Sequence, residues 1–437
     1  KNKKSIITNI NKYFDENVKV IWYEVDESED SIALFTRLNI GKILLTSAEL
    51  IKAMFLSESK NKGITEEKKD EIALQWDNIE KELHNDELWY FLTNNYNRDY
   101  QTRIDLILDL IAGKSLDNKE KYYTFFYFDN LSNREELSEI WKEIQHTFLI
   151  LKDWFENHEL YHKIGYLIAT NTKTLQEIFF LSRKEIDGKR ITKSKFKSKL
   201  DCYIKESIQI NENYSELSYE KDRERAQISR LLLLFNIESV RQNGEKTKWF
   251  PFDKHKFQQN GKVIWSLEHI HAQESQGMRR QKDWKEWLRL HIGSVESLGN
   301  PENKNLIKRM RDAIDMDSLI REEFKDLQEQ VIEKLSTEGN TEFMHSISNL
   351  ALLNTSNNAA LNNSTFDVKR NNIIALDKKG QYIPFATKMV FLKYYTPSAV
   401  SQLQFWGQED RISYIKAINK TLKDYLDEEI LIGKEQD

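Results

Sequence analysis

The sequence predicts a mainly α-helical protein that ends in a small unit of two strands and a helix with helical insertions. Only 14 glycines and 4 prolines occur in 437 residues, too few turn-forming residues for a sheet-rich fold. Apolar residues recur at helical spacing from about residue 65 to residue 240, which indicates packed helices. A segment such as Ile104, Leu106, Ile107, Leu108, Leu110 and Ile111 shows this spacing.

The chain is longer than one hydrophobic core usually organises, so we expect two or three domains. We divide it into residues 1–62, 63–245 and 246–437. In the first part a strand is predicted at Val18–Val25, and a later helix is predicted to begin at Thr46, with Glu49 completing a capping box. This pattern is typical of the end of an α/β unit. The second part is predicted to be a helical domain, with its main break at Ser182–Ser198.

The C-terminal third begins at an aromatic stretch containing Pro251 and alternates strands with helices. Its predicted elements are a strand at Val263–Ile270, a charged helical insertion at Gln281–Glu338, a strand at Ile347–Leu353, a helix carrying Asn358, Asn362, Phe366, Lys369 and Arg370, and an amphipathic helix at Ser401–Leu431 containing Trp406 and Tyr414.

Composition excludes several classes of site. Cys202 is the single cysteine, so neither an intrachain disulfide nor a thiolate zinc cluster is available, and a metal would need oxygen or imidazole ligands. A formal net charge of -5 gives no overall attraction for a polyanion. Residues 361–400 nevertheless hold six lysines and arginines against two aspartates. Without a long apolar run or a signal peptide, the cytoplasm is the expected compartment.

Glu268 and His269 at the end of the first strand carry the strongest chemical signal. A nuclease that uses one divalent ion needs a base for water and hard oxygen ligands for the ion. Neighbouring side chains on a strand point to opposite faces. An adjacent acid and histidine can therefore place the carboxylate on the metal ion and the imidazole on the attacking water only if the strand ends at the pair.

The stretches WSLEHIHAQ, NLALLN and N-x-x-x-N-N-x-x-F-x-x-KR resemble the HNH, or ββα-metal, nuclease domain of GmrSD-type modification-dependent restriction endonucleases, over about Trp249 to Tyr395. The resemblance implies that Glu268 and Asn358 bind Mg²⁺ or Mn²⁺, that His269 is the general base and that Asn349 positions it. Asn358 follows Asn349 by nine residues, as in that motif. The sequence differs from the family pattern in two respects. Ala272 stands where many such domains have proline, and the insertion between the two strands is long.

Several assignments stay open at this stage. The third motif residue could be Asn354, Asn357 or Asn362 instead of Asn358. Lys369, Arg370 and Asn363 are candidates for nucleic-acid contact, against a solvated helix face for the two cations. The alternative for Asn349 is a turn or sheet-edge residue that caps backbone groups, and the alternative for Asn358 is a helix N-cap. His271 is expected in the second shell or facing solvent, His345 is ambiguous, and the remaining histidines are expected to be structural.

The N-terminal segment carries a second resemblance. Phe35, Asn39, Gly41 and Leu44 are similar to an element of the ParB-like, nucleotide-responsive domain of the same restriction family. The resemblance makes Arg37 and Asn39 candidate nucleotide contacts. That family has an upstream D-G-Q-Q-R element, which this chain lacks. We therefore expect residue 1 to lie inside a domain of a longer protein, and nucleoside triphosphate use only in that longer form.

The motif residues and the resemblance together favour a metal-dependent DNA endonuclease. The resemblance alone implies an antiviral, phage-restriction role and modified phage DNA as the substrate. The oligomeric state of the protein is open and includes a homo-oligomer. One alternative is an inactive nuclease fold that binds or senses nucleic acid, against which the retention of all four motif residues argues. The other is a nucleotide-responsive regulatory module, against which the missing upstream element argues.

Overall fold

The computed structural model describes residues 2–19, 45–57, 64–94, 100–115, 117–186, 189–208, 214, 217–244, 247–256, 258–259, 262–263, 265–272, 278–337, 343–354, 359–398 and 402–426. Within these residues the protein is mainly helical, as predicted. None of the helices found there combines the length and the apolar character that a membrane crossing requires.

Two helices belong to the first part of the chain, α1 at Asn2–Asn17 and α2 at Ser47–Leu56. The Thr46 side chain accepts a hydrogen bond from the Glu49 backbone, and the Glu49 carboxylate accepts one from the Thr46 backbone, which confirms the predicted capping box. Val18 and Lys19 are not in a strand. The rest of the predicted strand lies outside the described residues.

The middle of the chain is a succession of packed helices, as the apolar spacing predicts. They are α3 Glu66–Leu83, α4 Asp86–Leu92, α5 Asp105–Ala112, α6 Tyr123–Ser132, α7 Leu137–Glu156, α8 His158–Ala169, α9 Leu175–Ser182, α10 Lys193–Ile208 and α11 Asp222–Gln242. The predicted break between α9 and α10 contains a short antiparallel hairpin of β1 at Glu185–Ile186 and β2 at Lys189–Arg190.

The C-terminal part places helices around a two-stranded ladder. Its elements are α12 Phe252–Lys256, β3 Gln258–Gln259, β4 Lys262–Val263, β5 Trp265–His269, α13 Gln281–Ser297, α14 Asn303–Asp315, α15 Arg321–Leu335, β6 Leu350–Asn354, α16 Ala359–Asn362, α17 Phe366–Lys378, α18 Phe385–Phe391 and α19 Gln408–Leu422. Strand β5 pairs antiparallel with β6.

Several element boundaries differ from the sequence prediction. The first predicted strand, Val263–Ile270, is β5 at Trp265–His269, and Val263 belongs to the separate strand β4. The second strand begins at Leu350, because Ile347–Asn349 forms a 3-10 turn. The single helix expected around the asparagines is two helices, α16 and α17, separated by residues 363–365. The closing helix is shorter than predicted, and Trp406 precedes it.

One hydrophobic core runs through most of the described molecule. It joins apolar residues from Ala48 in α2 to Leu426 after α19, and α11 packs against α8, α18, α19 and β6. The predicted boundary near residue 245 therefore falls between segments that share a core. The insertion α13–α15 has a separate core around Trp287 and Phe324.

Candidate active site

The ladder of β5 and β6 sets the directions of the predicted site residues. Glu268 lies opposite Ala351, and His269 lies opposite Leu350 in the last register pair. Strand alternation therefore sends Glu268 and His269 to opposite faces. Strand β5 ends at His269.

Asn349 fixes the main chain immediately beyond this strand end. Its side-chain Oδ1 accepts from the His271 backbone N–H at 3.0 Å, and its Nδ2 donates to the carbonyl oxygens of His271 and Met344, both at 2.9 Å. The Asn349 carbonyl accepts from Ile270 N–H at 2.7 Å. The side chain is buried and all three of these bonds go to main chain. Asn349 thus positions the backbone that carries His269, whereas the sequence predicted that it orients the imidazole.

The ring of His269 has a different neighbour. Its Nε2 lies 3.2 Å from Nδ1 of His345, and the Tyr219 ring meets it edge-on at a centroid distance of 4.9 Å. Burial, followed by the charges of Lys369 and His345, lowers the pKa of His269 to about 3. The imidazole is therefore neutral near pH 7, the state in which it can accept a proton.

Glu268 and Lys369 place opposite charges in the same buried region. Burial raises the pKa of Glu268, while the charge of Lys369 and a hydrogen bond from Ser266 Oγ at 3.2 Å oppose that rise. Lys369 in α17 is 4% exposed, and its Nζ donates to the His269 carbonyl at 2.5 Å. Burial lowers the pKa of Lys369 to about 8. Lys369 therefore ties α17 to the end of β5 and does not lie on a solvated helix face.

The other cations of the basic stretch are not gathered on one outward face. Lys393 is buried and pairs with Asp410, and Lys388 pairs with Asp377 at 2.8 Å. Arg370 is half-buried, and within the described residues its Nε has no hydrogen-bond partner.

The turn between α16 and α17 is held by the insertion. The third predicted nucleic-acid residue, Asn363, is buried in this turn, and its carbonyl accepts from Trp287 Nε1 at 2.9 Å. Thr365 N–H donates to His291 Nε2 at 3.1 Å, and Ser294 Oγ donates to Asp367 at 2.6 Å. Helix α13 therefore holds the segment that follows the asparagine-rich run.

His271 is buried rather than facing solvent, which selects one of the two predicted placements. Its Nδ1 accepts from Phe366 N–H at 3.2 Å, and its Nε2 lies 3.1 Å from Ser336 Oγ. Burial lowers the pKa of His271 to about 3. His271 thus links the strand end to the first residue of α17 and to the segment after α15.

Four predicted or alternative residues, Asn358, Asn357, Arg37 and Asn39, lie outside the described residues. Within the described residues no group of three His, Cys, Asp or Glu side chains is placed to hold a metal ion. Glu268 is the described member of the predicted ligand pair, and its buried carboxylate is the kind of oxygen donor that Mg²⁺ and Mn²⁺ take. The part of the site that is described therefore fits one ligand of such an ion.

Tyr219 and Glu220 beside His345 are site neighbours that sequence reasoning missed. His345 had a weak signal, because it lies four residues before Asn349, the first residue of NLALLN. Tyr219 and Glu220 had none, because they lie before α11, far from both strands in the sequence. Comparison of the chain with protein-family models, with curated proteins and with solved structures found no match.

Proposed function

We propose that this protein is a metal-dependent DNA endonuclease of the HNH type. One observation carries the proposal: an acid and a neutral histidine occupy the end of a strand in an antiparallel pair, and the helix that follows the pair is bonded back to that end through Lys369. This is the order of strand, strand and helix that the resemblance implies.

Each described residue has a role in phosphodiester hydrolysis. His269 takes the proton of the attacking water, and the nearby phosphate raises the low pKa of His269 when DNA binds, because an opposite charge favours the protonated ring. Glu268, with Asn358, would hold a divalent ion. When bound, such an ion supplies a Lewis acid that neutralises charge on the scissile phosphate and the leaving oxygen. Lys369 holds the His269 carbonyl, and Asn349 holds the main chain that follows it at His271.

The substrate and the biological role follow from chemistry and resemblance together. The charge of Lys369 beside the His269 carbonyl favours a phosphate near the strand end. Cleavage of modified phage DNA in a restriction system is proposed from the resemblance to GmrSD-type endonucleases alone.

Plasmid cleavage by wild type and by His269→Ala, each with Mg²⁺, Mn²⁺ or EDTA, tests this function. We expect the wild type to cut with either ion and not with EDTA, and His269→Ala to lose at least about 100-fold in rate, since general-base catalysis contributes that much. His146→Ala, at an exposed histidine of α7, is the matched control and should cut like the wild type. Cleavage by His269→Ala within tenfold of the wild type would overturn the proposal.

A further inference from the structure

The imidazole of His269 is the first member of a line of three groups that reaches the protein surface. His345 lies between His269 and Glu220, with its Nδ1 3.2 Å from His269 Nε2 and its Nε2 3.7 Å from Glu220 Oε1. We propose that His345 and Glu220 are positioning residues that fix the tautomer of His269. This inference rests on the proposed nuclease function.

The positions of the N–H protons on the two imidazole rings allow only one arrangement in which His269 can act as a base. A neutral imidazole carries one N–H, and one of the two facing nitrogens must donate it. Suppose that His345 Nδ1 donates. His269 Nε2 then accepts this bond, and the single proton of His269 lies on its own Nδ1, so neither nitrogen of His269 has a lone pair left for water. If His269 Nε2 donates, its Nδ1 keeps a free lone pair. The base is competent only in the second arrangement.

The carboxylate of Glu220 favours that second arrangement. A negative charge 3.7 Å from His345 Nε2 favours a proton on that nitrogen, which leaves His345 Nδ1 as the acceptor. An outer carboxylate that fixes the tautomer of an inner histidine is the usual means of orienting such rings. Glu220 is solvent-exposed, so it contributes orientation rather than stability.

The segment before α11 is built to hold this line in place. Tyr219 N–H donates to the His345 carbonyl at 2.9 Å, and Ser218 forms an antiparallel bridge with Ser346. The Tyr219 ring lies parallel to the His345 ring at 6.4 Å. Arg225 fixes Tyr219 from the helix side, because its Nε donates to the Tyr219 carbonyl at 2.8 Å and its guanidinium lies 4.5 Å from the ring.

A consequence is that the helical middle of the chain supplies part of the active site. Glu220 and Tyr219 lie directly before α11, which belongs to the helical region, whereas His269 lies in β5. The helical region therefore does more than separate other parts of the protein.

Three substitutions at His345 separate orientation from packing. Asn places an amide oxygen close to the position of Nδ1, Gln places one close to Nε2, and Phe fills the space of the ring with neither. We expect His345→Phe to lower kcat for plasmid cleavage about 10- to 100-fold, as loss of an orienting partner does, with KM unchanged. His345→Asn should recover most of that loss, and His345→Gln should not.

Glu220→Gln gives an independent arm, because an exposed side chain can be changed without affecting folding. We expect it to lower kcat several-fold with an unchanged KM. An unchanged kcat for Glu220→Gln would show that the Glu220 carboxylate does not help to orient His345. His345→Phe with a kcat within twofold of the wild type, or His345→Asn as impaired as His345→Phe at equal thermal stability, would overturn the orienting role of His345.

His269→Ala measured in the same assay keeps the two proposals apart. If His269→Ala retains the wild-type rate, the nuclease assignment of this site fails, and the positioning proposal fails with it. If His269→Ala loses cleavage while His345→Phe retains it, the nuclease assignment stands and the positioning proposal alone is wrong.

Discussion

Glu268 sits in a buried region where its charge is balanced by neighbours rather than by water. Burial alone would favour its protonated form, and the opposing influences are the Lys369 ammonium and the Ser266 hydroxyl. A carboxylate held in this way is prepared for a cation, because part of its dehydration has already taken place on folding.

Glu268→Gln should therefore change the metal dependence of cleavage and not only its rate. The amide keeps the shape of the side chain but is a weaker ligand for a hard cation. We expect the Mg²⁺ concentration for half-maximal cleavage to rise at least about tenfold, measured by titrating Mg²⁺ into the plasmid assay. Ser266→Ala, which removes only the neighbouring hydroxyl, should shift it much less. A Glu268→Gln titration that coincides with the wild type would exclude this residue as a ligand.

At the residue scale, the sequence located the acid and the histidine but not their partners. The end of β5 at His269 follows from local pattern, because a polar stretch succeeds an apolar strand. The contacts of His269 with His345 and of Lys369 with the His269 carbonyl join residues 76 and 100 positions apart. Local sequence patterns do not encode such long-range contacts, so neither the burial of Lys369 nor the contact of His345 with His269 was predicted.

At the element scale, helix α17 begins in an unusual way. Thr365 at its N-cap makes no side-chain capping bond, and the first backbone N–H groups go instead to imidazole nitrogens of His291 and His271. A helix start leaves donors that need partners. The sequence predicted one continuous helix through this segment. The imidazole acceptors lie far away in the sequence, so the sequence pattern could not show that the helix is interrupted before Phe366.

Another close contact at this scale joins α8 to α12. Gly165 lies in the middle of α8, and a Cβ at that position would come within 2.1 Å of the Phe252 ring. Phe252 is fully buried and packs among aromatic neighbours, including the tilted ring of Tyr161 at a centroid distance of 5.2 Å. The ring has no room to withdraw, so glycine is needed here to let the two helices approach.

Gly165→Ala should destabilise the protein by about 1–3 kcal/mol, the usual cost of overpacking a buried site. The measurement is the free energy of unfolding from urea denaturation followed by circular dichroism. Gly293 in α13 is the matched control, because nothing lies within 4 Å of a Cβ added there. Gly293→Ala should stabilise by up to about 1 kcal/mol through helix propensity. An equal change in the free energy of unfolding for the two variants would show that the Phe252 ring moves to accommodate the added methyl group.

At the scale of the whole molecule, buried histidines join distant segments of the chain. Each accepts a backbone N–H from far along the sequence: Phe250 N–H donates to His162 Nε2 at 3.1 Å, Phe366 N–H to His271 Nδ1 at 3.2 Å and Thr365 N–H to His291 Nε2 at 3.1 Å. Protonation would remove the accepting lone pair. Burial is the main cause that lowers the pKa of all three to about 3.

The folded protein should therefore lose stability as the pH falls below about 6.5. The unfolded chain binds protons at the ordinary histidine pKa of 6.5, whereas the folded histidines resist them down to about 3, so this stability is complete above pH 6.5 and decreases towards pH 3. Burial lowers the pKa of His255 and His269 to about 3 as well. At pH 5.5 each of the five histidines costs about 1–2 kcal/mol, about 7 kcal/mol in total. Asp105, whose pKa burial raises to about 6, opposes this by less than about 1 kcal/mol.

Urea unfolding at pH 7.5 and pH 5.5 measures this difference in the free energy of unfolding. His162→Gln keeps an acceptor for Phe250 N–H but does not titrate, so the difference between the two pH values should shrink by about a fifth, one histidine's share of the total. His146→Gln, at an exposed position, should leave the difference as it is in the wild type. Equal stability of the wild type at both pH values would mean that these rings gain protons without losing their backbone partners, and the histidines would then not be what joins the segments.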